Sequence, residues 1–307
     1  MATAISPFGT QRASRWMPWA GFTPAILLFA LFGLVPALGV VVLSFTDISG
    51  IPGVPWQWVG LENYQFFFTG PQAEENWAIL GRTAIFSASI VIIQNAAALG
   101  LAVLFTQKLR GVTVMRSIVF MPTVLGVTVI GLIWLLIFNP TGGPAASAWE
   151  LFGQQSAFLG DPHLAFPLVI LIQIWSGLGY GMIIFIAALQ AVPSDLYEAA
   201  KVDGANAWQR FRNVTVPMIA PGVTANVLIS IIGTLQTFQL IFVLTGDNPY
   251  TSVLALKIFT IGFTANATGS AIQQQGLASA ISIIQFIMVG IIALTALWYL
   301  RRRETQL

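Results

Sequence analysis

Cysteine is absent and histidine occurs once, as His163. The chain therefore has no disulfide, no thiol nucleophile and no thiolate metal ligand. A zinc site would need carboxylates around one imidazole, so no metal or other cofactor of its own is expected. Charge is scarce too. Asp, Glu, Lys and Arg make up 8% of the 307 residues, against roughly 25% in an ordinary soluble domain. No lysine follows a glycine, so the phosphate-cradling G-x-x-x-x-G-K-[ST] loop is missing and ATP has no such site here. What fills the chain is apolar: 56% of the residues are hydrophobic and the mean hydropathy is +0.82. A soluble domain of this size could not hide that much apolar surface, so lipid is the expected solvent. A disordered chain, a nucleic-acid binder and a typical soluble enzyme are excluded.

Six stretches free of Asp, Glu, Lys and Arg are long: 16–46, 83–107, 117–149, 162–194, 213–246 and 258–300. A helix needs about 20 mostly apolar residues to cross the hydrocarbon, and a charge at its centre costs at least roughly 2.5–3.5 kcal/mol. The stretches predict six transmembrane helices over about 20–45, 83–106, 115–138, 166–191, 222–245 and 278–299. The first is longer than the 7–15 apolar residues of a signal peptide and is read as a retained span. The apolar run 253–263 is interrupted by Lys257 and too short to cross; it is read as an amphipathic element outside the core.

Lys and Arg collect on the cytoplasmic side of membrane proteins. Counting segments alternately, one side holds Arg12, Arg15, Lys108, Arg110, Arg116, Lys201, Arg210, Arg212, Arg301, Arg302 and Arg303, 11 of 13, and the other only Arg82 and Lys257. Asp47, Glu62, Glu74, Glu75, Glu150, Asp161 and Asp247, 7 of 11 acids, fall on that second side. Both termini are then cytoplasmic. The expected organisation is a tail 1–19, a transmembrane domain 20–300 with a cytoplasmic loop 193–221, and a tail 301–307.

The outer loop 46–82 carries Trp56 and Phe66-Phe67-Phe68, which suits interfacial anchoring or docking of an external partner. His163 is read as an exposed structural residue. The loop 193–221 carries six charges, three of each sign. Asp195 and Glu198 have the spacing of a capping box, with Ser194 as an alternative N-cap. Gly204 is placed to end that helix, and a second helical stretch follows from Ala205 to Arg212. There Trp208 and Phe211 share a face. Such a knob either lies on lipid headgroups or forms a socket for a cytoplasmic protein.

Apart from Arg116 at the edge of the third, the six spans hold no Asp, Glu, Lys, Arg or His. Proton relays and ion pumps place such groups there. One exposed histidine also cannot build a nucleophile–base–acid set. The spans carry neutral polarity instead: Gln94, Asn95, Gln173, Asn226, Thr234, Gln236, Thr237, Gln239 and Gln285. Each either bonds a neighbouring helix or lines a path for a polyhydroxylated neutral solute; a phosphate would want Arg or Lys. Gln236 and Gln239 are expected on one helical face. Gly177-x-Gly179-x-Gly181 lacks the strand–turn–helix context of a nucleotide loop and points to close helix packing or a flexible point.

Glu198-Ala199-Ala200, three residues, Gly204, nine residues, then Val214-Thr215-Val216-Pro217 resembles the EAA motif, E-A-A-x3-G-x9-I-x-L-P, of permease subunits of bacterial ATP-binding-cassette importers. Leu189-Gln190-Ala191-Val192-Pro193, Lys201-Val202-Asp203-Gly204-Ala205 and Leu244-Thr245-Gly246-Asp247-Asn248-Pro249 are similar to that family as well. Arg116 to Pro122 and Trp134 to Pro140 look like the first of two permeases in carbohydrate uptake systems, of the maltose and glycerol-phosphate kind. The resemblance implies an all-α, six-helix type I importer permease in the bacterial cytoplasmic membrane. It implies four companions: a second permease, two ATPase subunits that bind ATP and Mg, and an external solute-binding protein. The cargo would be a mono- or oligosaccharide, or else another neutral polar solute such as a polyol or amino acid; an ion-coupled carrier is the remaining alternative. The resemblance gives Glu198, Ala199, Ala200, Asp203, Gly204 and Pro217 to ATPase coupling, with Glu198 contacting the ATPase and Gly204 permitting the turn. Gln94, Asn226, Gln236, Gln239 and Gln285 are the expected substrate path. Where relatives often have Asn before the Thr that opens the second span, this chain has Arg82; where they often have Asp near the end of the fifth, it has Gln239.

Overall fold

The computed structural model describes residues 17–107, 110–264 and 274–304. Of the predicted tails 1–19 and 301–307, residues 1–16 and 305–307 lie outside them, Arg12 and Arg15 included, as do Lys108 and the polar stretch 265–273. Among the described residues the chain is helical, with one isolated β-bridge between Thr46 and Trp58.

The elements in order are α1 (Met17–Phe29, a π turn Ala30–Leu34, and Val35–Leu43), α2 (Glu62–Thr69), α3 (Ala73–Phe105, with a π turn at Ile90–Gln94), α4 (Val112–Val124), α5 (Val127–Ile137), α6 (Pro144–Glu150), α7 (Ala165–Gln190), α8 (Ser194–Val202), α9 (Ala207–Met218, with a π turn at Phe211–Thr215), α10 (Ala220–Leu235), α11 (Gln239–Thr245), α12 (Leu254–Phe263) and α13 (Gln275–Glu304). Four helices, α1, α3, α7 and α13, are each long and apolar enough to cross a membrane. Counting each of the bent pairs α4–α5 and α9–α10 as one span gives up to six; in the second pair α9 carries Arg210 and Arg212 and lies in the loop 193–221, and the predicted fifth span 222–245 falls on α10 and α11.

The third and fifth spans are not the straight rods the sequence suggests. Between α4 and α5 the axis turns by 102°. Pro122 contributes no N–H to the helix, and three residues later Leu125 and then Gly126 are extended, with ψ of 140° and 142°. The α9–α10 pair bends by 69° at Ile219, between Pro217 and Pro221. α10 then stops at Leu235, and the chain leaves helical geometry through Phe238 (φ −134°) before α11 begins.

α7 sits at the centre, against α3, α4, α10 and α11. Its glycines are what let it. A Cβ on Gly179 would stand 2.6 Å from Phe120 Cα and Val119 O of α4. One on Gly177 would meet Gln94 of α3 at 2.9 Å, and one on Gly181 would meet Asn226 of α10 at 3.1 Å. Of the two readings of this run, close packing holds.

The element at 253–263 does form a helix, too short to cross a membrane as expected, but it is packed into the protein rather than left as an amphipathic surface element. In α12 Leu254 and Leu256 are fully buried, held against α3 and α13. The charge that seemed to forbid this is neutralised: Lys257 Nζ lies 3.3 Å from Glu75 Oε1. Arg82 Nε donates to Ser252 O (3.1 Å), and Leu254 N donates to Thr83 Oγ1 (2.9 Å). A side chain of α3 thus caps α12. Phe67 departs from both readings of the outer loop: it is buried, packed with Leu254, Leu277 and Ile281. Trp56 stays exposed.

Candidate functional site: a central cavity and a helical handle

The breaks after α4 and α10 leave space between them, a cavity of about 510 Å3. Gln94, Gln173, Ser176, Tyr180, Asn226, Ser230, Thr234, Gln236, Thr237 and Gln239 supply its polar lining. Pro122, Leu125, Val127, Ile130, Ile229, Phe238 and Leu240 supply apolar lining. No Asp, Glu, Lys, Arg or His lines it.

The polar residues divide into two sets. One set ties helices together. Asn95 Nδ2 donates to Ser230 Oγ (3.0 Å), Ser87 Oγ and Thr234 Oγ1 lie 3.1 Å apart, and Asn226 Nδ2 donates to Gly181 O (3.5 Å). Asn226, Ser230 and Thr234 recur every fourth residue, so α10 turns one polar stripe toward α3 and α7. Gln94 Nε2 donates to Gly177 O at 3.4 Å. The other set, Gln173, Gln236 and Gln239, makes no side-chain hydrogen bond to any described residue. Their amide groups are free to serve a solute, each with two N–H donors and an oxygen acceptor.

Four of the five expected path residues, Gln94, Asn226, Gln236 and Gln239, therefore line one cavity. Gln236 and Gln239 do so for a reason other than the expected one: they flank the break rather than share a helical face. Gln285 is not on the lining. Its Nε2 donates to Leu235 O, so it supports the break from behind. Tyr180, Ser176, Ser230 and Thr123 line the cavity and were missed. Tyr180 and Ser176 lie at i+7 and i+3 from Gln173, the spacing of one face, which could have found them.

The loop 193–221 is the knob expected. α8 starts at Ser194, but the Asp195–Glu198 capping box does not form. Pro193 (φ −60°, ψ 134°) is the N-cap, which moves Ser194 inside the helix, and its hydroxyl turns to Asp195. The capping box lies further on, where Asn206 and Gln209 bond each other's backbone N–H at 2.9 and 2.8 Å. Gly204 ends α8 in the left-handed region (φ +76°), and Ala205 N donates to Ala200 O (2.9 Å). Glu198, Ala199 and Asp203 are exposed and Ala200 and Pro217 half-buried. Val202 is 87% and Trp208 67% exposed. The Trp208 and Phe211 rings stand 5.6 Å apart. Away from this loop, partial burial raises the Asp247 carboxyl above its ordinary range, opposed by Lys257 and reinforced by Glu75.

The sequence profile of binding-protein-dependent transport system inner membrane components matches residues 94–304. The chain belongs to this family. The match includes the loop 193–221 and every residue that lines the cavity. Among relatives of this permease family, the probable starch degradation products transport system permease AmyD of Thermoanaerobacterium thermosulfurigenes is 30% identical over 291 residues, 94% of this chain and 95% of that one. The trehalose/maltose permease MalF of Thermococcus litoralis is 30% identical over 87% of each chain. The lactose permease LacF of Rhizobium radiobacter is 30% identical over 93% of this chain and 94% of its own. A chain of a bacterial ABC transporter that imports the acidic polysaccharide alginate shares the fold, with a TM-score of 0.79 at 22% identity over 95% of this chain and 96% of that one.

Proposed function

We propose that this permease carries a neutral sugar, mono- or oligosaccharide, through the central cavity. The observation that carries the reading is a lining of amides and hydroxyls, the amides of Gln173, Gln236 and Gln239 among them free, with no charged side chain. Sugar hydroxyls both donate and accept, as amides do, while an ion or phosphate would leave the cavity without a counter-charge. The names of AmyD, MalF and LacF support a sugar over a polyol or amino acid.

In this reading both termini and the 193–221 handle face the cytoplasm, as 11 of 13 cations suggest, and the membrane is the bacterial cytoplasmic one. The handle, through Glu198, Ala199, Ala200 and Asp203, docks on one of two ATPase subunits. They bind ATP and Mg, and this chain hydrolyses none. A second permease completes the path, and an external binding protein delivers the sugar. Gly204 and Pro217 shape the handle. Closure of the ATPases pushes α8, and α7 and α10 pass the motion to the cavity walls, opening it alternately to each side.

The test uses the assembled importer in proteoliposomes, supplied in turn with labelled maltotriose, trehalose and lactose. ATP-dependent uptake of at least one is expected, abolished by Glu198→Lys with loss of ATPase co-purification. Uptake by the lone chain, or none of any sugar, overturns the reading.

A further inference from the structure

A second concavity, of about 370 Å3, lies in the segment between α5 and α7 and shares no lining residue with the central cavity. The last turn of α6 brings Trp149 and Glu150 to it. Gly153 then takes φ +70°, and the chain doubles back with Gly153 N bonded to Glu150 O (2.9 Å) and Gln154 N to Trp149 O (3.3 Å). This turn brings Gln154 and Gln155 to the same concavity as the indole.

Trp149 is fixed yet accessible. Its ring meets Phe158 edge-to-face at 6.0 Å, while 42% of the residue remains exposed. Phe158 is itself pinned by Phe138 at 5.6 Å, and its N–H donates to Ser156 Oγ (3.0 Å). Among the described residues it is the one non-glycine with positive φ, +48°. Such a conformation persists only where its surroundings over-determine it. The indole thus has a rigid support. Around it the side chains of Glu150, Gln154 and Gln155 form no hydrogen bond or ion pair with any described residue.

A rigid aromatic surface ringed by free amides and one carboxylate has a definite chemical match. The apolar C–H face of a pyranose lies on the indole, and its hydroxyls reach acceptors and donors at the rim. A phosphate finds no cation there, and a purely apolar ligand would strand three polar side chains. We propose that this concavity is a second sugar subsite, built on Trp149, Glu150, Gln154 and Gln155 and taking one pyranose unit. With the handle cytoplasmic, the subsite faces outside. It rests on the sugar reading above and deepens it: an oligosaccharide longer than the central cavity holds has a foothold on the external loop.

The absence of cysteine gives a direct test. Gln155→Cys is made in the assembled importer, and its modification by a membrane-impermeant maleimide is followed with millimolar maltotriose, trehalose or lactose. The sugar that the importer takes up is expected to slow labelling several-fold. Trp149→Ala should abolish the protection, Trp149→Phe should keep part of it, and unchanged size-exclusion profiles of the three purified variants confirm that they fold. Unchanged labelling while that sugar is still transported overturns the subsite and leaves the sugar reading standing. Protection that needs added binding protein and no sugar also overturns it, because the surface is then a docking site. Loss of the sugar reading itself shows separately, as absent uptake of all three by the unmodified importer.

Discussion

The side-chain amide of Gln285, on α13, donates to the backbone carbonyl of Leu235, the last residue of α10, at 2.6 Å. The bond holds the lip of the break that carries Gln236. Removing it leaves a carbonyl in apolar surroundings, at a cost of about 1–3 kcal/mol. Gln285→Leu is expected to lower the thermal unfolding midpoint of the purified protein by several degrees. Uptake should fall several-fold while ATPase co-purification persists. An unchanged midpoint would show that the carbonyl finds another partner.

Gly177 and Gly179 predict opposite kinds of damage. A Cβ at Gly179 meets α4 backbone at 2.6 Å, which cannot turn aside; at Gly177 it meets the end of the Gln94 side chain at 2.9 Å, which can. Gly179→Ala should therefore reduce folded protein in the membrane, while Gly177→Ala should insert normally and alter uptake. Size-exclusion profiles of detergent extracts, read beside transport, separate them. Equal yields would mean that α4 and α7 part easily.

The Lys257–Glu75 pair asks for a double-mutant cycle. Breaking a fully buried pair costs about 3–5 kcal/mol; the Glu75 side chain is 42% exposed, so a smaller loss is expected. Glu75→Gln should destabilise, because it leaves the buried ammonium without its counter-charge. Lys257→Met with Glu75→Gln should recover part of that loss. Thermal midpoints of the two single variants and the double give the coupling, and simple additivity would dismiss it.

Gly204 separates conformation from contact. Its φ is +76°, and a Cβ there would meet nothing within 4 Å. A β-branched side chain in that region is strained, by about 1–2 kcal/mol, whereas asparagine tolerates it. Gly204→Asn should keep most of the uptake and Gly204→Val should lose most of it, together with ATPase retention. Equal uptake by both would show that the turn is not needed.

Sequence reading found what depends on solvent: the six charge-free stretches and the exposed handle between Pro193 and Pro221. It misread elements whose surroundings differ from their own composition. Lys257 made 253–263 look like an amphipathic element, because the neutralising Glu75 lies 182 residues away in the chain. The Asp195–Glu198 spacing suggested a cap, but the fixed φ of Pro193 set the start of α8. Pro122 lies inside the third predicted span, but hydropathy averages over a kink and does not show the bend. Gln236 and Gln239 were expected on one face of a helix that in fact stops at Leu235, before both of them.

The glycines of α7 have a mechanical consequence. Where helices meet through side chains, rotamers can yield and absorb a displacement. At Gly179 the contact is with backbone, and only three residues, Ala191 to Val192 to Pro193, separate the end of α7 from the handle. A shove on α8 thus meets little slack before it reaches α4, the helix whose far end walls the cavity.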